Sequence, residues 1–202
     1  MEEKIYLYPI WVRLWHWLNA ILFLLLVLTG LSMQYAGKDS HLIPFELSVT
    51  IHNVSGIALI ITFVFFVFAN RFTWNGQYYK IRLKGYGGEL WKQIRFYSWG
   101  IFKKEKPPFP ISKVRKFNPL QQLSYVIAMY ILVPLIIISG IGLLFPEITI
   151  TSVWGRSGLW LTDLFHQVLG FFLTLFWLIH LYFCTIGKTS TSNFKSMIDG
   201  WH

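Results

Sequence analysis

Four stretches of this chain are too long and too apolar to pack as helices of a water-soluble core. They run roughly from Trp11 to Gln34, Leu47 to Ala69, Leu120 to Phe145 and Leu159 to Ile186. A bilayer's hydrocarbon core is spanned by about 20 mostly apolar residues in an α-helix. Within lipid, a single segment satisfies its own backbone polar groups only as a helix. The expected fold is therefore all-α: an integral membrane four-helix bundle, with residues 1–202 as a single domain and no internal repeat. Pro134 falls inside the third stretch, where a kink is expected rather than a break, because neighbouring groups can take up the freed carbonyl. The first stretch is too long for a secretory signal and lacks a small-residue cleavage site.

The charges set an orientation. Only 13% of the residues are charged, and the net charge is +9. Twelve of the 18 Lys and Arg residues lie between Arg71 and Pro119, and Lys4, Arg13, Lys188 and Lys195 flank the chain ends. The two remaining connections hold only Lys38 and Arg156. The positive-inside rule then puts both termini and the long basic loop between the second and third helices in the cytoplasm. Topology thus accounts for the positive charge without nucleic acid, and the expected surroundings are membrane lipid. Within that loop, Gly85 to Gly100 alternates aromatic and basic residues and reads as an amphipathic segment lying on the inner leaflet. The prolines at 107, 108 and 110 force an extended stretch before the third helix. Ten Trp and ten Tyr suit helix ends at membrane–water interfaces, and also the lining of a large planar cofactor. The single cysteine, Cys184, excludes an intrachain disulfide or a cysteine-based metal site.

Four of the six histidines, His16, His52, His166 and His180, lie within the spans; His41 and His202 fall in a loop and at the chain end. An ionisable group inside a membrane segment is costly and faces the bundle interior. One such histidine reads as a hydrogen-bonded packing residue, but four at matched depths are harder to explain that way. The topology puts His16 and His180 at the inner level and His52 and His166 at the outer level. His166 and His180 are fourteen residues apart, about 40° short of four full turns and about 21 Å along the axis, so one helix points a ligand at each level. Facing helices of a bundle hold cofactors with inward side chains, and two histidines per level suit the two axial positions of a haem iron. Zinc prefers four ligands, and two histidines per level do not close such a site alone. Gly56 and Gly170 each follow a histidine by four residues and share its face, leaving room for a flat macrocycle; close helix packing explains them equally well. Gly30 and Gly140 carry the same two readings. Arg13 suits a haem propionate or an ordinary positive-inside anchor.

These residues resemble the four-helix di-haem cytochrome b subunits of membrane-bound nickel–iron hydrogenases, formate dehydrogenases and thiosulfate reductases. The matching positions are Arg13-Leu14-Trp15-His16-Trp17, His52 with Gly56, and His166, Gly170, His180 and Tyr182. The thiosulfate-reductase type is the most similar. It is matched by Lys116-Phe117-Asn118-Pro119-Leu120-Gln121-Gln122-Leu123-Ser124-Tyr125, by Gly187-Lys188-Thr189, and by Met197-Ile198-Asp199-Gly200-Trp201. The long cytoplasmic loop also resembles this group, whereas small cytochromes of the kind that work alone have shorter loops.

The resemblance implies a bacterial inner-membrane subunit with two b-type haems. It would pass electrons between the quinone pool (menaquinone or ubiquinone) and a periplasmic-side redox partner, either an iron–sulfur protein or a cytochrome c. In formate dehydrogenase relatives an asparagine before the third helix helps form the quinone site, and Asn118 matches it, with Gln121 and Gln122 as further candidates. Asn118-Pro119 also reads as a helix cap followed by proline in the first turn. Glu46 and Asp163 would serve a quinone site on the outer face, or stand there as plain interfacial carboxylates. Two other functions fit part of the pattern: a stand-alone di-haem cytochrome oxidising a small diffusible reductant, and a transporter or sensor relaying protons or metal ions through its histidines.

Overall fold

The computed structural model describes residues 5–35, 43–187 and 189–202. His41, Lys4, Lys38 and Lys188 lie outside the described residues. Four helices are long and apolar enough to cross a membrane: α1 (Ile10–Gln34), α2 (Phe45–Phe72), α4 (Pro119–Leu144) and α5 (Gly158–Cys184). A shorter α3 (Tyr86–Arg95) lies in the long loop and α6 (Ser192–Asp199) follows the fourth long helix.

Burial is distributed as lipid requires. Thr29, Ser32, Ser48, Ser55, Thr62 and Ser139 are buried, while Leu14, Ile61, Ile138 and Phe171 are each more than 60% exposed. Lipid is as apolar as leucine, so helices associate through small residues and interhelical hydrogen bonds. A closed set of such bonds joins α1 to α2. Thr62 Oγ1 donates to Asn19 Oδ1 (3.1 Å), Asn19 Nδ2 donates to the Trp15 carbonyl (2.8 Å), and Trp15 Nε1 donates to the Thr62 carbonyl (2.9 Å). The Trp15 ring stacks on Phe66, centroids 4.5 Å apart. α4 packs on α5 in the same antiparallel way, and the two pairs also meet through α2 and the second half of α4.

α4 continues through Pro134. A π-helical turn over Ala128–Leu132 precedes it, and the α-helix resumes at Val133. Proline has no N–H and its ring crowds the carbonyl four residues back, here that of Tyr130. The wider π turn accommodates both effects.

At one end of the bundle the connection between α4 and α5 folds into a small hairpin. β1 (Ser152–Val153) pairs with β2 (Arg156–Ser157) across Trp154 and Gly155, whose φ values are 47° and 73°. Two consecutive positive φ values make the turn whose twist suits a two-residue hairpin. The other end holds both described chain termini. Ile5 and His202 exchange backbone hydrogen bonds of 3.0 and 2.9 Å, and Trp17 Nε1 donates to the Met197 carbonyl (2.9 Å). The aromatic–basic segment forms α3 and a π turn at Phe96–Gly100, with Tyr86, Gln93 and Phe96 buried and Trp91 and Trp99 exposed. Residues 105–111 carry no helix or strand.

Candidate functional site: two histidine pairs

The four histidines meet as two pairs between helices. At the termini end, His16 of α1 faces His180 of α5 with ring centroids 6.1 Å apart and planes 60° apart. At the hairpin end, His52 of α2 faces His166 of α5 at 6.2 Å and 67°. An imidazole nitrogen binds a metal at about 2.0–2.1 Å, and the ring centre lies about 1.1 Å behind it, so two imidazoles on opposite sides of one metal have centres about 6.2 Å apart. Both pairs fit that spacing. Among the described residues no group of three or more His, Cys, Asp or Glu could hold a metal ion, so neither pair has the ligand set of a zinc site.

The donor atoms fit as well. His52 Nδ1 lies 2.9 Å from Thr29 Oγ1, His166 Nδ1 lies 2.9 Å from Ser139 Oγ, and His180 Nδ1 lies 3.4 Å from the Tyr125 hydroxyl. Iron-binding histidines engage their second nitrogen in this way. His16 Nδ1 is buried and has no hydrogen-bond partner among the described residues. The Phe176 ring lies parallel to His180 at 6.1 Å.

The glycines divide into two kinds. A Cβ built on Gly56 meets nothing within 4 Å, and one on Gly170 meets only Ile136 Cδ1 at 3.9 Å. Gly56 therefore borders open space one turn from a histidine, and Gly170 has room for a methyl group in ordinary contact with Ile136. Gly30 and Gly140 instead lie beside the histidine rings: a Cβ on Gly140 would crowd His166 Cε1 at 3.3 Å, and one on Gly30 would make ordinary contact with His52 Cε1 at 3.6 Å.

Arg13 reaches toward the chain's end, and its Nη1 donates to the Ile198 carbonyl. Its Nε is buried and unpaired among the described residues. Asn118 caps α4: Oδ1 accepts from Gln121 N (2.9 Å), and Gln121 Oε1 accepts from Asn118 N (3.2 Å). Asn118 Nδ2 donates to the Tyr97 hydroxyl at 3.0 Å. Gln122 Nε2 donates to the carbonyls of Tyr78 (2.8 Å) and Lys80 (3.2 Å), tying the loop to the helix. At the hairpin end, Asp163 accepts from Gln167 Nε2 (2.9 Å) and borders a cleft of about 440 Å³ with Leu143, Pro146 and Trp160. Glu46 lies in the first turn of α2.

One buried cation carried no sign of its burial in the sequence. Lys116 reads there as one of twelve loop cations, yet it is only 2% exposed. Its ammonium donates to Asn75 Oδ1 (2.9 Å) and lies 4.4 Å from the Tyr8 ring centre. Burial lowers its pKa from 10.5 to about 7. Between those two values the unfolded chain holds a proton that the folded chain has released, so stability rises with pH across that window and is flat below it. Tyr8, pushed up to about 12 by burial, stays protonated throughout. The melting temperature in detergent is expected to rise from pH 7 to pH 9. Lys116→Met should remove from that rise up to about 1.4 kcal/mol per pH unit. Identical pH slopes for the two proteins would contradict this.

Comparison with known proteins identifies the family. The chain is 42% identical over 200 residues to a protein of Escherichia coli (strain K12) named "Putative cytochrome YdhU", covering 99% of this chain and 75% of that one. It is 28% identical over 186 residues to a Rhodobacter capsulatus protein named "Probable Ni/Fe-hydrogenase B-type cytochrome subunit", covering 84% of this chain and 63% of that one. A family model described as prokaryotic cytochrome b561 matches residues 7–200. The chain therefore belongs to the prokaryotic cytochrome b561 family, and is a multi-pass membrane b-type cytochrome of electron transfer.

Proposed function

We propose that the chain is the membrane-anchor electron-transfer subunit of a larger oxidoreductase. It moves electrons between the quinone pool and a periplasmic-side redox partner, and works as a quinol-oxidising module. In this reading residues 1–202 form one di-haem unit in the inner membrane, with both termini and the long loop in the cytoplasm. His16 and His180 ligate the iron of an inner haem b, and His52 and His166 that of an outer one. The observation that carries the reading is the facing imidazoles at each end of the bundle, 6.1 and 6.2 Å apart. When bound, the two haems supply one-electron carriers at two depths of the bilayer. A haem iron held by two histidines would be a carrier suited to electron transfer rather than oxygen activation. Gly56 and Gly170 leave space for the macrocycle faces. The unpaired Nε of Arg13 is the group we assign to a propionate of the inner haem, while its Nη1 stays on Ile198. The relative named as a hydrogenase cytochrome subunit supports a redox partner; an iron–sulfur protein or a cytochrome c would serve.

Asn118, Gln121 and Gln122 form the proposed quinone site beside the inner haem. Asn118 holds the cap with its Oδ1 and offers its Nδ2 to Tyr97, so a quinone carbonyl would compete for that donor. A second reading places the quinone in the cleft at the hairpin end, where the Asp163 carboxylate is available to accept a proton. Both readings are tested by mixing membranes with menaquinol or ubiquinol analogues and following reduction of the b-type bands. Asn118→Ser keeps a capping oxygen but removes the amide. It is expected to slow reduction about tenfold, the worth of one hydrogen bond of about 1.4 kcal/mol. A slow Asp163→Asn variant beside a normal Asn118→Ser would favour the cleft. Haem-loaded protein that neither quinol reduces would contradict the quinone role.

A further inference from the structure

The two histidines at the hairpin end are supported by the same two-residue device. On α1, Thr29 and Gly30 lie against His52 of α2; on α4, Ser139 and Gly140 lie against His166 of α5. A Cβ on Gly140 would crowd His166 Cε1 at 3.3 Å, while one on Gly30 would reach ordinary contact with His52 Cε1 at 3.6 Å; in each case the hydroxyl before the glycine meets Nδ1 at 2.9 Å. Both hydroxyls are buried, 1% and 4% exposed. Their own protons are already committed: Thr29 Oγ1 donates to the Leu25 carbonyl (2.7 Å) and Ser139 Oγ to the Ile136 carbonyl (3.1 Å). Each oxygen then meets the imidazole as an acceptor, beside the backbone carbonyls of Leu26 and Ile136, with which His52 and His166 also hydrogen-bond. That puts the hydrogen on Nδ1 and leaves Nε2 as a bare lone pair. The pair at the other end has no such support. His180 Nδ1 has only the longer contact to Tyr125, and His16 Nδ1 has no partner among the described residues.

We infer that Thr29 and Ser139 are positioning residues for the outer haem: they fix the tautomer of His52 and His166 and make both imidazoles stronger donors to the iron. An acceptor on the far nitrogen raises the basicity of a ligating histidine, and a more basic ligand favours the ferric state. The inference rests on the proposed ligation by His52 and His166. It adds that two hydroxyls, one from each helix pair, act on one and the same haem.

The test is a redox titration of the b-type bands in membranes, with haem counted per polypeptide. The variants are Thr29→Val, Thr29→Ser, Ser139→Ala and Ser139→Thr. Thr29→Val and Ser139→Ala are each expected to shift the same haem toward its reduced form by about threefold to tenfold in equilibrium constant, where tenfold is about 59 mV for one electron. The second haem should keep its potential, and Thr29→Ser and Ser139→Thr should restore the first. Unchanged potentials with two haems retained would overturn the inference and leave the ligation standing. So would shifts in different haems. A haem lost in Thr29→Val or Ser139→Ala and not recovered in the conservative variant would show a packing role instead. Wild-type protein without haem would count against the ligation itself.

Discussion

A His166→Ala variant is expected to lose one haem of two and keep the other, and His180→Ala to do the same with the opposite haem. Both histidines stand on α5, fourteen residues apart, and face partners on different helices. Loss of either imidazole leaves one pair incomplete and does not touch the other, about 21 Å away along the helix. The haem content per polypeptide should fall by half in each single variant and to zero in the double variant. Electron delivery from quinol to an external acceptor should stop in all three, because in the proposed route each haem carries one half of the path. Pairing is checked by removing the partner: His52→Ala must give the His166→Ala spectrum and His16→Ala the His180→Ala spectrum. A histidine relay for protons or metal ions would show none of these spectral effects.

The largest loss of stability is expected at two glycines far from the histidines. A Cβ on Gly158 would lie 1.5 Å from the Ile150 carbonyl oxygen, and one on Gly76 would lie 2.1 Å from that of Asn70. Both obstacles are backbone, which cannot rotate aside as a side chain can. Gly158 starts α5 against the hairpin, and Gly76 closes the turn that carries Asn75 toward Lys116. Alanine at either position should cost about 3 kcal/mol or more, lowering the melting temperature by about 6 °C or more. Gly88→Ala in α3, with nothing within 4 Å, is the control and should fold normally. A Gly158→Ala protein that melts within a degree of wild type would contradict the close packing at the hairpin.

Much of this was legible in the sequence because the informative signals were local. Long apolar runs announce the spans, and the fourteen-residue spacing places His166 and His180 on one face whatever the surroundings. Asn118 and Pro119 spell out their own cap, and the cap forms, with the Gln121 side chain completing it. Hydropathy located helix ends less well. The second span, expected to end at Ala69, continues to Phe72, because Asn70 and Arg71 end the apolar run but not the hydrogen-bond ladder. The other features depend on partners remote in the chain. Arg13 meets Ile198, 185 residues away. Thr29 and Ser139 are common small residues of membrane helices until the structure sets each beside a ring on the next helix. The Thr-Gly and Ser-Gly correspondence is two residues long, too short to register as a repeat. Lys116 resembles its exposed neighbours because burial is decided by how the loop folds, through Asn70, Asn75 and Tyr8.

The most direct test of the central claim is to count haem in the purified wild-type chain, using a dithionite-reduced minus oxidised spectrum against the polypeptide concentration. Two b-type haems per chain are predicted, one for each histidine pair. A single haem would leave one pair without its assigned role, and none would contradict the four-histidine account altogether.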